Sequence, residues 1–118
     1  MLTAERAAHF VDEWIAAWNA HDLDRILAHW ADDCVFTSPL AARLLGDPTG
    51  TVHGKAALRG YWQRGLAANP GLRFELDRVL VGHDSVLIAY RNHRGQHCAE
   101  WLRLEDADHA IAGAAHYA

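Results

Sequence analysis

The 118-residue sequence predicts one α+β domain, spanning residues 1–118, in which three helices from the N-terminal half cover a curved antiparallel sheet. Two observations predict this class. Apolar residues recur at helical spacing through most of the first 68 residues, whereas from residue 72 onward they follow the alternation of β-strands. Short turns join the later strands, which indicates a meander. Because a chain of this length forms one domain of ordinary size, we expect no second domain.

Two helices are predicted at the N-terminus. The first begins after Thr3, a suitable N-cap, and runs from about residue 4 to 20 with a wide aromatic face formed by Phe10, Trp14, Ala17 and Trp18. The second follows the cap Asp22, and its apolar positions are Leu23, Ile26, Leu27 and Trp30. The segment Ala31–Asp33 is expected to separate this helix from the first strand. Since the link between the helices is short, they must fold against each other.

The middle of the chain predicts a strand, a loop and a third helix. Alternating β-branched and aromatic residues predict a strand over Cys34–Ser38. Residues 40–50 contain three turn-forming glycine and proline residues and read as a loop, although the first six can form one helical turn. This loop carries several leucines, so we expect it to act as a lid. A minimal strand at Thr51–His53 precedes the third amphipathic helix, Lys55–Ala68.

Four strands are predicted in the last third of the sequence. Each is an alternating run bounded by turn residues such as Gly82-His83-Asp84. The predicted strands are Leu72–Val81, Ser85–Asn92, Gln96–Leu104 and His109–Tyr117. Because their links are short, we expect consecutive strands to pair antiparallel.

Composition excludes several classes of function. The net charge is −4 and the basic residues are scattered among acids, so we expect no nucleic-acid partner. No apolar stretch approaches the length of a membrane span and the N-terminus lacks a signal-peptide pattern, so we expect a cytoplasmic protein without membrane contact. In that compartment Cys34 and Cys98 are expected to be buried free thiols rather than a disulfide.

We also expect no metal and no cofactor. His93 and His97 flank a predicted hairpin turn, where two imidazoles can be imagined as metal ligands. No Cys/His cluster and no helical pair of histidines accompanies them, however, and protein metal sites need such additional ligands.

Glu100 is the main candidate for chemistry. It shares one strand face with three apolar residues, Cys98, Leu102 and Leu104, which indicates a buried carboxyl group with a raised pKa. Its hydrogen-bond donor must come from another element, and Trp14 and Tyr90 are the candidates. The alternative is that the opposite face, with Ala99, Trp101 and Arg103, turns inward and Glu100 lies in solvent.

Two further candidates have ordinary structural explanations as well. His53 precedes the third helix and can act as an acid or base at a pocket mouth, or it can be a loop histidine bonded to nearby backbone. Tyr90 can contact a ligand or form a hydrogen bond across the hairpin.

A large aromatic residue, Trp101, lies on the face opposite Glu100, and we therefore expect a homodimer through that face.

Three local motifs carry a family resemblance: Trp18-Asn19-Ala-His-Asp22-Leu23-Asp24, Trp30-Ala-Asp-Asp33 and Gly54-Lys-Ala-Ala-Leu58-Arg-Gly-Tyr61-Trp62. With the order of the elements, they resemble the SnoaL-like bacterial branch of the nuclear transport factor 2-like superfamily. The resemblance implies a cone-shaped fold with an apolar pocket that takes a small apolar or aromatic ligand. The residues expected to line it are Trp14, Trp18, Phe36, Tyr61, Trp62, Leu102 and Tyr117.

The superfamily includes ketosteroid isomerases, polyketide cyclases, dehydratases, epoxide hydrolases and binding modules, so the fold alone names no reaction. Where the ketosteroid isomerases have a general-base aspartate this chain has Ser38, and where they have an oxyanion-hole tyrosine it has Trp14. Glu100 falls near their second oxyanion-hole acid, and it is the nearest counterpart of the acid/base aspartate of SnoaL-type cyclases. The steroid-type mechanism is therefore disfavoured.

Three classes of function remain open at this point. The first is a SnoaL-type enzyme with Glu100 as acid/base, in which Ser38, Tyr90 or His53 orients the substrate. The second is a pocket that binds an apolar molecule without chemistry, and the third is a dimerisation or accessory module. An enzyme needs at least two convergent titratable groups, and the sequence supplies one convincing candidate.

Overall fold

The computed structural model describes residues 1–118 and shows four helices on a six-stranded sheet. The helices are α1 (Ala4–Asn19), α2 (Leu23–Leu27), α3 (Pro39–Leu45) and α4 (Lys55–Ala68). The strands are β1 (Trp30–Thr37), β2 (Thr51–His53), β3 (Glu75–Val81), β4 (Ser85–Arg91), β5 (His97–Leu104) and β6 (Ala110–Tyr117). The predicted α+β class is confirmed. The fourth helix is α3, which forms where the sequence predicted a loop with at most one helical turn.

The sheet is mixed, with strand order β2-β1-β6-β5-β4-β3. All neighbouring strands are antiparallel except β1 and β6, which run parallel, so the prediction of a wholly antiparallel sheet is wrong at this one pair. The long chain between β1 and β6 supplies the crossover that a parallel pair requires. A Cβ atom on Gly113 of β6 would lie 2.6 Å from the Trp30 ring and 2.7 Å from Leu102, so glycine lets both side chains pack on β6.

The first two helices begin at the predicted caps. The Thr3 hydroxyl accepts from the Arg6 N–H at 3.2 Å, and the Asp22 carboxylate accepts from the Arg25 N–H at 3.2 Å. Between the helices His21 has a φ of +53°, a left-handed conformation that reverses the chain sharply. The break predicted from the sequence between α1 and α2 therefore has a local backbone cause.

The second helix is shorter than predicted. We expected it to reach Trp30, but it ends at Leu27 and Trp30 begins β1, where it pairs with Ala110 of β6. The Ala110 N–H also donates to the His29 carbonyl at 2.7 Å. Pairing with a distant strand thus overrides the local helical spacing. The residues expected to separate helix from strand, Ala31–Asp33, lie within β1 at a register shift.

The strand predicted from Leu72 begins only at Glu75. The cause is the Asn19 side chain, whose amide group donates to the Phe74 carbonyl at 2.9 Å and accepts from the Phe74 N–H at 2.7 Å. Because these bonds occupy both backbone groups of Phe74, the residue has none left for a strand ladder. The His21 Nε2 forms a similar hydrogen bond to the Leu72 carbonyl at 2.7 Å.

The sheet has one buried and one more exposed face, and the buried face packs against α1 and α4. The inward positions of β4 and β5 are Val86, Ile88 and Tyr90, and Cys98, Glu100, Leu102 and Leu104. This pattern excludes the alternative in which Glu100 lies in solvent. Cys34 and Cys98 are buried free thiols, as expected. No helix has both the length and the apolar character needed to cross a membrane.

Candidate functional site

A cavity of about 410 Å³ lies between the inner face of the sheet and the helices. Its walls come from α1, α3, α4, the segment after α4, and strands β1, β4, β5 and β6. An outer compartment of about 450 Å³ shares part of this lining and extends to the β4–β5 turn. Pockets for small molecules typically measure about 300–1,000 Å³, so the inner cavity alone has sufficient volume for one.

Most of the residues predicted to contact a ligand line this cavity: Trp18, Phe36, Tyr61, Trp62 and Tyr117. Two predicted lining residues do not. Leu102 is fully buried in the core, and Trp14 is buried beneath Phe74 and Tyr90, with ring centroids 5.7 Å from each. Trp14 supports the wall from behind, because Phe74 and Tyr90, which line the cavity, pack on its ring.

The candidate catalytic residues separate into two groups. Glu100 and Tyr90 line the cavity. His53 is exposed at the end of β2 and lines neither compartment, so the structure does not favour the first of its two interpretations, an acid or base at the pocket mouth. Ser38 is buried, but its hydroxyl caps α3 by accepting from the Leu40 N–H at 3.1 Å, and it stands outside both compartments.

The Glu100 carboxyl group is the polar centre of the inner cavity. Its residue is only 6% exposed, and the Tyr90 hydroxyl donates a hydrogen bond to Oε2 at 3.0 Å. Burial raises the pKa of Glu100 to about 8, and the bond from Tyr90 opposes this rise without cancelling it. The group is therefore a neutral acid near pH 7 and can donate a proton or a hydrogen bond.

The three tyrosines of the lining are donors that do not ionise near neutral pH. Burial is the largest cause that raises the pKa of Tyr90, Tyr117 and Tyr61, and the nearby Glu100 carboxyl raises each further. Ser38 lies near the hydroxyls of Tyr61 and Tyr117 and offsets part of the rise in their pKa. Among the acidic groups of the inner lining, Glu100 alone titrates close to neutral pH.

Aromatic rings form most of the walls. The Phe74 ring lies 4.3 Å from that of Tyr90, and the rings of Trp18 and Phe36 lie 5.2 and 5.3 Å from Trp62. These edge-to-face and tilted contacts give a rigid, apolar surface that suits planar rings. Phe74 was not a predicted site residue, because its position depends on the bonds from Asn19 and no local pattern marks them.

Sequence reasoning also missed the polar residues of the rim. Arg43 of α3, Arg94 of the β4–β5 turn and Asn69 after α4 line both compartments. In the sequence they cannot be told from ordinary solvated residues. Leu40 and Leu44 line the inner cavity from α3, at the edge where the sequence predicted a covering loop. No three His, Cys, Asp or Glu side chains come together in a way that could hold a metal ion.

The sequence pattern of the SnoaL-like domain family matches residues 11–116. The chain belongs to this family. This SnoaL-like protein is 40% identical to a SnoaL-like protein of unknown function from Burkholderia thailandensis, with a TM-score of 0.94 over 100% of this chain and 99% of that one. None of the curated protein sequences matches the chain significantly.

Two more distant structures share the fold alone. An NTF2-like protein of unknown function from Burkholderia pseudomallei is 20% identical, with a TM-score of 0.75 over 96% of the SnoaL-like chain and 91% of its own. TerC, co-crystallised with polyporic acid, is 16% identical, with a TM-score of 0.78 over 96% and 92%. The resemblance to the SnoaL-like branch and the cone fold that it implied are both confirmed.

Proposed function

We propose that the protein binds a small apolar or aromatic molecule in the inner cavity, and that Glu100 acts on it as a neutral acid in an isomerisation, cyclisation or hydrolysis. The observation that carries this proposal is the carboxyl group at the cavity wall, buried among aromatic rings and bonded to Tyr90. The co-crystallisation of TerC, which shares the fold, with polyporic acid supports a small-molecule role.

The geometry suggests how the acid would work. A carbonyl or epoxide oxygen that reaches Glu100 accepts its O–H and is polarised, or takes the proton as negative charge develops on that oxygen. The Tyr90 hydroxyl already donates to the carboxyl group, so it stabilises the carboxylate that remains. Because most of the residues around Glu100 are apolar, these interactions are stronger there than they would be in bulk solvent.

Tyr90 is therefore the residue that best fits a positioning role toward Glu100. Ser38 contributes through α3 and through the hydroxyls of Tyr61 and Tyr117, which it neighbours. His53 has no place in this scheme, because it is exposed and lies outside the lining.

The test is Glu100→Gln, which keeps the volume and hydrogen bonding of the side chain but removes its proton transfer. With aryl enones and aryl epoxides as trial substrates, we expect turnover to fall by about 100-fold to 10,000-fold with substrate affinity nearly unchanged. Wild-type activity should decline as the pH rises through about 8, where Glu100 loses its proton. The control is Glu75→Gln, an exposed residue of β3 outside the cavity. Full turnover in Glu100→Gln would contradict the proposal.

Binding without chemistry is the second candidate function, and one observation favours it. Glu100 has no second acid or base beside it that titrates near neutral pH, whereas general acid/base enzymes usually bring two such groups together. If the protein only binds, no trial substrate should turn over. Glu100→Gln should then change affinity by less than about threefold, since the glutamine still pairs with Tyr90.

We also propose that the protein is a homodimer through the outer face of the sheet. Leu80, Leu87 and Trp101 form one cross-strand row on that face, and Ala114 continues it onto β6. Leu80 and Leu87 are 55% and 36% exposed. Such a continuous apolar row on a sheet is typical of a surface that another protein covers.

A further inference from the structure

The rim of the cavity carries positive charge that no acid of the lining balances. Arg43 and Arg94 line both compartments from opposite elements, α3 and the β4–β5 turn, and neither belongs to an ion pair. The only carboxyl group in either lining is Glu100, which is buried and holds its proton near pH 7. Although the whole protein has a net charge of −4, the entrance to its cavity is therefore positive.

Arg94 is held at the rim by a neutral partner. Its Nη2 donates to the Asn69 Oδ1 at 3.2 Å, and the Asn69 Nδ2 in turn donates to the Gly65 carbonyl near the end of α4 at 2.9 Å. This pair of bonds orients the guanidinium without neutralising it, and other N–H donors remain available. Burial raises the pKa of the Tyr61 phenol, and Arg43 lies close enough to offset a small part of that rise, so its charge acts on a group of the cavity lining.

We infer that the ligand is an amphipathic organic anion. Its aromatic body lies against the wall formed by the rings of Trp18, Trp62 and Phe74, and its carboxylate or sulfonate group lies at the rim beside Arg43 and Arg94. This inference rests on the proposed function, because it assumes that the inner cavity binds a small molecule. The anionic end fixes the orientation of the ligand, so that the opposite end faces Glu100. A guanidinium suits such a group, since it can form two parallel hydrogen bonds with one anion.

Two fluorescent probes with the same rings test the inference. Anilinonaphthalene sulfonate carries a negative charge, and phenylnaphthylamine is its uncharged parent. Each probe is titrated against the wild type and against the double variant Arg43→Gln/Arg94→Gln, which keeps most of the side-chain length. The matched control is Arg64→Gln, which removes a positive charge from an exposed position of α4 outside both compartments.

We expect the double variant to bind the sulfonate about tenfold more weakly and the uncharged probe equally well, because two partly solvated ion pairs are lost. Raising the salt concentration should weaken the sulfonate alone in the wild type. Arg64→Gln should bind both probes as the wild type does. Unchanged sulfonate binding by the double variant would overturn the inference.

A cavity-filling variant separates this inference from the proposed function. Gly65 lines the inner cavity, and no heavy atom lies within 4 Å of the position that its Cβ would take, so Gly65→Leu places a side chain in open space. It also favours the helix, since glycine is a poor helix former. Both probes should lose binding in Gly65→Leu. If neither probe binds the wild type, or both still bind Gly65→Leu, the proposed function and the inference fail together. If Gly65→Leu abolishes binding of the uncharged probe but the double arginine variant binds the sulfonate as the wild type does, the inference alone fails.

Discussion

Protonation of Glu100 is linked to the stability of the fold. Its pKa is about 8 in the folded protein and 4.5 ordinarily, so between these values the unfolded chain releases a proton that the folded chain retains. This group therefore lowers the free energy of unfolding by roughly 1 kcal/mol for each pH unit across that window. Its contribution is most favourable below pH 4.5 and changes no further above pH 8.

We predict that Glu100→Gln removes this slope. Urea unfolding at pH 5, 6, 7 and 8 should show that the variant gains stability relative to the wild type as the pH rises. All other titrating groups are common to both proteins, so the difference between the two curves isolates Glu100. Curves that stay parallel from pH 5 to 8 would mean that the carboxyl group is solvated. Glu75→Gln, exposed on β3, should follow the wild type.

At the residue scale, the alternation of a strand predicts which of its side chains lie on the same face of the sheet. The alternation in β5 left two faces open, with Glu100 either buried or in solvent, and named Trp14 and Tyr90 as candidate donors; the structure buries Glu100 and pairs it with Tyr90. The sequence cannot predict contacts between segments far apart in the chain. The bonds from Asn19 to Phe74 span 55 residues, and the exposure of His53 depends on how β2 joins the sheet edge.

Helix α3 lines one edge of the cavity and is largely exposed to solvent. Ser38 caps its start, Gly46 ends it in a left-handed conformation, and its leucines are unusually exposed. Leu44 and Leu45 are 44% and 42% exposed, yet only Leu44 lines the inner cavity. Leu45 is therefore a matched control for Leu44, because the two are similarly exposed and only Leu44 lines the inner cavity.

We predict that Leu44→Ser shortens the residence time of phenylnaphthylamine about fivefold, since it removes apolar area from the cover of the cavity. Leu45→Ser should leave that time unchanged. Stopped-flow displacement of the probe measures both dissociation rates. Equal rates in the two variants would show that α3 does not retain the ligand. Circular dichroism should confirm that both variants keep their helical content.

Among the elements, those with strong local signals were predicted well. The caps at Thr3 and Asp22 and the helical spacing in α1 and α4 are properties of short segments, and the structure shows them as expected. The length of α2 was overestimated, because Trp30 fits both a helix face and a strand. Only its pairing with Ala110 decides between them. The parallel direction of β1 and β6 has no local signal at all.

At the scale of the whole molecule, the proposed homodimer through the outer face of the sheet can be tested directly. We predict that the wild type sediments as a homodimer at micromolar concentration and that Leu87→Lys/Trp101→Lys sediments as a monomer. Standard interfaces bury about 800 Å² on each partner, and the apolar row crosses four of the six strands of this sheet. Two lysines in the row would place like charges opposite each other across the two-fold axis.

The control for this assembly is Leu45→Lys, which adds a charge to an exposed leucine of α3 that is not part of the cross-strand row. It should remain dimeric. A wild type that sediments as a clean monomer would contradict the proposed homodimer, whatever the variants do.

The position of β6 has a consequence for how the protein is made. Strand β6 is last in the sequence but lies inside the sheet, and β1 and β2 join the other strands only through it. During synthesis on the ribosome, β1 therefore cannot pair with β6 for roughly several seconds, until the chain up to residue 117 has been made. Such late, long-range pairing slows folding. Because Phe36 comes from β1 and Tyr117 from β6, the cavity is completed only when the final strand is inserted.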